Sequence, residues 1–183
     1  MNDKIYANLK IPFFTETILN EIEKFAIEVY NEDRYDWKNE GLSMVYGTNG
    51  IRNKTICYTL LEEFSNDIIV DWCDSPCISI TGPNTWLHKH SDTYGIKSKI
   101  IVPLLPRENF QPFMYHHTNG IVELVEMKLH QPILLDVDLE HGGFTTNDNV
   151  RATLQFTFYM SVPEIVEKIK NNQFLKTLKC SIC

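Results

Sequence analysis

The stretch Arg151-Ala-Thr-Leu-Gln-Phe-Thr-Phe158 (RATLQFTF) decides how this chain folds. In a β-strand successive side chains point to opposite faces. Arg151, Thr153, Gln155 and Thr157 therefore share one face, and Ala152, Leu154, Phe156 and Phe158 the other. A half-exposed antiparallel strand turns its apolar face to the core and its polar face to water. A barrel holding a polar ligand reverses this, with the Arg/Thr face inward and helices covering the apolar outside. Alternation alone allows both readings, and for Arg151 by itself an exposed charge at a strand start is the plain one.

Upstream of this strand, short β-rich runs are separated by Pro, Gly and Asn: CISITG (77–82), TWLHKH (85–90), KSKIIVPLL (97–105), PFMYHH (112–117), IVELVEMKL (121–129) and PILLDV (132–137). With 151–160 these make about seven strands, which suggests a sandwich or barrel. The first third reads as helical. In residues 15–30 Ile18, Ile22, Phe25, Ala26 and Val29 recur at helical spacing, and in 58–72 Leu60, Leu61, Phe64 and Ile68 do the same. Between them, residues 38–54 hold three glycines and read as a loop with room for a short strand or hairpin. Pro163-Glu164 opens a last amphipathic helix, EIVEKIKNNQFLKTL, with proline suited to the first turn. The expectation is one mainly β domain over 1–183, with a helical part (about 1–76), a β core (about 77–160) and a C-terminal helix (about 163–179).

The bulk properties set limits. With 183 residues, 43% hydrophobic and 22% charged, the chain is an ordinary globular one, long enough for one sizeable core. A net charge of -7 argues against a broad grip on nucleic acid. No apolar run approaches the roughly 20 residues of a membrane span, and MNDKIYANLKIPFF lacks the basic-then-apolar pattern of a secretory signal. Five cysteines without framework spacing read as reduced thiols in a cytoplasm. Cys180 and Cys183 have the spacing of half a zinc site, which would need Cys73 and Cys77 beside them.

The chemistry gathers around Trp86-Leu-His-Lys-His-Ser-Asp92 (WLHKHSD). If this stretch is extended, His88, His90 and Asp92 look the same way. His-x-Asp alone is a common coincidence, and a strand end running into a polar turn explains it as well. His141 follows in LDVDLEHGGF, just before two glycines, and Arg151 stands ten positions further on.

His90-Ser-Asp92, then His141, then Arg151 resembles the HxD…H…R signature of the Fe(II)/2-oxoglutarate-dependent oxygenases. Arg151-Ala-Thr153 is similar to that family's RxS element. The resemblance covers about residues 77–160. It implies a double-stranded β-helix, a jelly-roll barrel of the cupin kind supported by the flanking helices. It also implies Fe(II) on His90, Asp92 and His141, the distal carboxylate of 2-oxoglutarate on Arg151, and Thr153 as a companion hydroxyl. The activity implied is a dioxygenase, most simply a hydroxylase, that uses O2 and converts 2-oxoglutarate to succinate and CO2.

The residue types suit that chemistry. Two neutral imidazoles and one carboxylate hold one face of an octahedral ferrous ion and leave three positions open. Iron with one aspartate carries a single positive charge, a bound dianion takes it to a single negative one, and one arginine closes it to neutral. A planar guanidinium can grip a carboxylate with two parallel hydrogen bonds.

Two other readings remain at this point: a cupin-like metalloprotein using His88, His90 and His141 without 2-oxoglutarate, and a non-catalytic barrel with a polar ligand. The cupin pattern calls for Glu near Tyr94 or Gly95 and does not find it. His88, Trp86, Asn84 and Tyr94 are candidate neighbours of iron, cosubstrate or substrate. The substrate, whether a peptide side chain or a small molecule, is not readable, nor is the oligomeric state.

Overall fold

The structure, a computed structural model, describes residues 5–32, 42–46, 56–73 and 76–183. Its elements run β1 (Tyr6–Lys10), α1 (Glu16–Tyr30), β2 (Leu42–Tyr46), α2 (Ile56–Asp67), β3 (Cys77–Thr81), β4 (Trp86–Leu87), β5 (Ser98–Leu105), β6 (Phe113–His116), β7 (Val122–Val125), β8 (Ile133–Asp136), β9 (Phe144–Thr145), β10 (Arg151–Phe158), α3 (Val162–Lys170) and β11 (Ser181–Ile182). Among these residues no helix is long and apolar enough to cross a membrane.

Seven strands form one antiparallel sheet in the order β11-β1-β8-β5-β10-β3-β2, while β4–β9 and β6–β7 are separate two-stranded ribbons. The chain is thus mainly β with a few helices, and the sheets do not close into a hydrogen-bonded barrel. The two ribbons meet through a single segment: His141 bridges to His90 on one side and to Tyr115 on the other.

β10 lies in the middle of the large sheet, between β5 and β3. Ala152, Leu154, Phe156 and Phe158 on its apolar face are wholly buried. They join the main core with Ile22 and Phe25 of α1, Leu61 and Phe64 of α2, and Ile165 and Ile169 of α3. A smaller core lies on the opposite side of the sheet, where Ile101, Ile133 and Leu135 meet Phe113, Tyr115 and Val125 of the β6–β7 ribbon. Of the two orientations the sequence allowed for β10, the structure takes the one with helices over the apolar face.

Helix starts follow local chemistry. The Thr15 hydroxyl accepts from the Ile18 N–H at the start of α1, and at α3 the Glu164 carboxylate accepts from both the N–H and hydroxyl of Ser161. Both predicted helix ends lie too far along. α2 stops at Asp67, because its carboxylate accepts the Thr177 N–H and hydroxyl, each at 2.8 Å, and the chain then bridges Ile68 to Leu175. α3 stops at Lys170, and Asn172 follows in the left-handed region at φ 53°. Phe174 and Leu175, read from the sequence as helical, instead turn into the main core. β1, paired between β8 and β11, and the edge strand β11 lie in regions read as helical or unassigned and complete the sheet.

Candidate metal and anion site

The strand expected over TWLHKH lasts only two residues, Trp86 and Leu87, so strict alternation does not carry His88 onto the face of His90. His90 is placed by a bridge instead. Its N–H donates to the His141 carbonyl at 2.8 Å, and the His141 N–H donates back at 2.7 Å. The pair sets the two imidazoles side by side, ring centroids 4.4 Å apart. Asp92 is anchored from another direction, its N–H donating to the Val137 carbonyl. Ligand atoms of His90, Asp92 and His141 all lie within 4.8 Å of one another.

Both imidazoles are oriented by backbone. Nδ1 of His90 is 2.9 Å from the His88 carbonyl, and Nδ1 of His141 is 2.9 Å from the Leu139 carbonyl. A carbonyl only accepts, so each Nδ1 carries a proton, and in the neutral ring this leaves the lone pair on Nε2. Metal-binding histidines are commonly held this way. His141 is buried, and burial holds its imidazole below the ordinary range, which keeps it neutral. His90 is more than half exposed, whereas Asp92 is nearly covered.

The glycines after His141 are required by shape. Gly142 has φ +92°, and a Cβ there would sit 2.5 Å from the His88 carbonyl oxygen. His116, at the end of β6, fastens this loop by a 2.8 Å contact from its Nε2 to the Gly142 carbonyl.

These side chains open on a cavity of about 180 Å³. Its lining includes His90, Asp92, His141 and Arg151, together with Lys99, Ser79, Thr81 and Gln155. Arg151 is buried, its Nε has no hydrogen-bond partner, and among the described residues no carboxylate forms an ion pair with it. Desolvation lowers its pKa to about 10. Its guanidinium carbon lies 4.8 Å from the centre of the Phe110 ring and 5.7 Å from that of Phe144. A buried cation flanked by aromatic rings and lacking a counter-ion is suited to an anion from outside the chain.

The remaining candidates fall elsewhere. Thr153 is fully buried and does not line the cavity; its hydroxyl accepts the Gln155 side-chain amide at 3.0 Å. His88 is exposed and packs edge-on against Trp86, outside the cluster, so the His88/His90/His141 grouping does not form. Asn84 is exposed, Trp86 is half exposed and Tyr94 almost wholly so. Among the described residues the cysteines form no metal-binding group with one another. Burial pushes the Cys77 and Cys180 thiols up to about 12, which leaves them inert. The side chain of Tyr58 lies outside the described residues.

Lys99, Thr81, Phe110 and Phe144 were not singled out in the sequence. Lys99 carries a faint signal, since it shares a face with Ile101 in a largely apolar strand. The others have none, because their place at the site depends on strand pairing and a loop packing across the sheet.

No protein-family model and no curated protein matches this sequence. Solved structures do. A prolyl hydroxylase from Trichoplax adhaerens, in complex with a hypoxia inducible factor oxygen degradation domain peptide fragment, superposes with a TM-score of 0.58 at 12% identity, over 86% of this chain and 84% of that one. The viral collagen prolyl hydroxylase of Paramecium Bursaria Chlorella virus-1, as its 2OG complex, gives 0.53 at 12% identity, over 86% and 97%. HygX from Streptomyces hygroscopicus, with nickel and 2-oxoglutarate bound, gives 0.51 at 11% identity, over 82% of each chain.

At such identities the likeness speaks for the fold. The chain has the fold of the Fe(II)/2-oxoglutarate oxygenases. Within that fold it carries a His-Asp-His cluster.

Proposed function

We propose that this protein is an Fe(II)- and 2-oxoglutarate-dependent dioxygenase, a hydroxylase of a C–H bond in a peptide side chain or small molecule. One observation carries the reading. Two Nε2 atoms and a carboxylate converge on a cavity that also contains a buried arginine with no counter-ion among the described residues. The donor set suits a ferrous ion, and the unpaired guanidinium suits a carboxylate of the cosubstrate.

The same reading takes the chain as one domain built on a double-stranded β-helix. The order β8-β5-β10-β3 in the large sheet supports it, as do the ribbons β4–β9 and β6–β7 joined through His141. The described cysteines are free thiols, in keeping with a reducing cytoplasm.

His90, Asp92 and His141 hold the iron, with both imidazoles neutral and their Nδ1 protons committed to backbone carbonyls. Arg151 binds and orients the distal carboxylate in a pocket from which Phe110 and Phe144 exclude water. Thr153, on the same strand as Arg151, accepts the Gln155 amide and so orients a side chain that lines the cavity. Bound iron and 2-oxoglutarate supply the activation of O2, coupled to formation of succinate and CO2 and oxidation of a substrate C–H bond. The peptide complex of the Trichoplax structure supports a peptide side chain as the substrate.

The test is succinate formation dependent on both Fe(II) and 2-oxoglutarate, with the weak visible charge-transfer band of the anaerobic complex as a binding signal. Loss of both signals in Arg151→Met is expected. A protein that binds iron but gives neither would instead be a metalloprotein that does not use 2-oxoglutarate, and one that binds neither a simple ligand barrel.

A further inference from the structure

The family resemblance puts the hydroxyl companion of the arginine two residues along the same strand, at Thr153. In this protein that hydroxyl already serves Gln155, and it is not part of the cavity lining. A different threonine is placed for the task. Thr81, the last residue of β3, is directly paired with Arg151 across the sheet. Side chains of directly opposed residues project from the same face, with Cβ atoms roughly 5 Å apart. Thr81 lines the cavity, is only 1% exposed, and its Oγ1 has no hydrogen-bond partner. An orphaned buried hydroxyl is costly and calls for an explanation. Beside it lies the orphaned Nε of Arg151.

We propose that Thr81 is the second donor of the anion pocket. Its hydroxyl and the Arg151 guanidinium together bind the distal carboxylate of the keto-diacid, while Phe110 and Phe144 hold the guanidinium from its sides. The inference rests on the oxygenase reading and adds a binding residue to it. One carboxylate satisfies both unpartnered groups, which accounts for two buried polar atoms at once.

The experiment measures 2-oxoglutarate affinity of the Fe(II)-loaded protein by anaerobic titration, with no turnover involved. Thr81→Val, nearly isosteric, is expected to weaken binding about tenfold, the effect of one hydrogen bond to a charged group. Thr81→Ser, which keeps the hydroxyl, retains wild-type affinity within about twofold. Thr153→Val leaves affinity unchanged, since its hydroxyl points to Gln155. Wild-type affinity in Thr81→Val, a loss in Thr81→Ser as large as in Thr81→Val, or a loss in Thr153→Val instead, overturns the assignment while leaving the oxygenase reading standing. Failure of the wild-type protein to bind 2-oxoglutarate at all removes that reading, and Thr81 with it.

Discussion

Nζ of Lys99 lies 2.6 Å from Oδ2 of Asp92, while the other carboxylate oxygen, Oδ1, faces Nε2 of His90 at 3.7 Å. The contact is an ion pair without hydrogen-bond alignment, since Oδ2 gains no geometrically sound donor from it. Both side chains are mostly covered, so solvent screens the pair little. Lys99 thereby occupies one oxygen and leaves the other turned toward the imidazoles.

Lys99→Met keeps the length of the side chain and removes its charge. Asp92 then becomes a nearly buried carboxylate without a counter-ion, which costs on the order of 3 kcal/mol. A lower melting temperature is expected for the metal-free variant. A divalent cation replaces the lost charge, so the stabilisation given by Mn(II) should be larger in the variant than in the wild type. Thermal denaturation with and without Mn(II) reads both; equal metal stabilisation in the two proteins would show that the ion pair does not act on the site.

Asp92→Ala removes the only carboxylate of the cluster. Divalent metal affinity should fall by more than about 100-fold, and catalysis with it, while far-UV circular dichroism stays unchanged because Asp92 lies outside both cores. Retained Mn(II) binding by calorimetry would show that Asp92 is no ligand.

Gly142→Ala meets two obstacles, a φ of +92° and a Cβ 2.5 Å from the His88 carbonyl. That carbonyl also orients His90, so the clash spreads to the cluster. The expected cost is about 2 kcal/mol or more, with weakened metal binding. Gly120, at φ +81° with open space for a Cβ, is the control: Gly120→Ala should cost about 1 kcal/mol and leave metal affinity alone. Similar effects of the two substitutions on metal binding would remove the role given to Gly142.

Arg151 bears on stability as well as binding. Its pKa is lowered by burial, so the folded state holds its charge at a cost throughout the range below about 10. Stability from this group rises with pH only between about 10 and its unfolded value, and at neutral pH the full penalty is present. Arg151→Met should therefore bind no 2-oxoglutarate and yet melt no lower than the wild type. A clearly lower melting temperature would mean that the guanidinium has a stabilising partner within the fold.

His141 gives a pH dependence of the opposite range. Burial lowers its folded pKa, so the unfolded chain takes up a proton first as pH falls. The stability linked to this group is present above the ordinary imidazole pKa of about 6.5 and is lost as pH falls below it. Between pH 7.5 and pH 5.5 the melting temperature of the wild type should fall further than that of His141→Phe; parallel curves would exclude His141 as the titrating group.

Local patterns carried much of this protein. Helical spacing marked α1, alternation marked β10, and Pro163-Glu164 marked the start of α3, because each depends on neighbours within one turn or one strand. The order His90, Asp92, His141, Arg151 pointed to the cluster before any contact was known. Helix ends were misread where distant partners intervene, as when Asp67 captures Thr177 and pulls the tail out of a helix it would otherwise continue.

What the amino-acid order determined by itself was the set of chemical groups and the two faces of β10. Which face would meet the helices was decided only when α1, α2 and α3 packed together on one side of the sheet. The role of His88, the hydroxyl beside Arg151 and the partner of Asp92 were decided in the same way. An exposed carbonyl bend, a cross-strand pairing and an ion pair between neighbouring segments are relations between parts of the chain, and periodicity along one segment does not contain them.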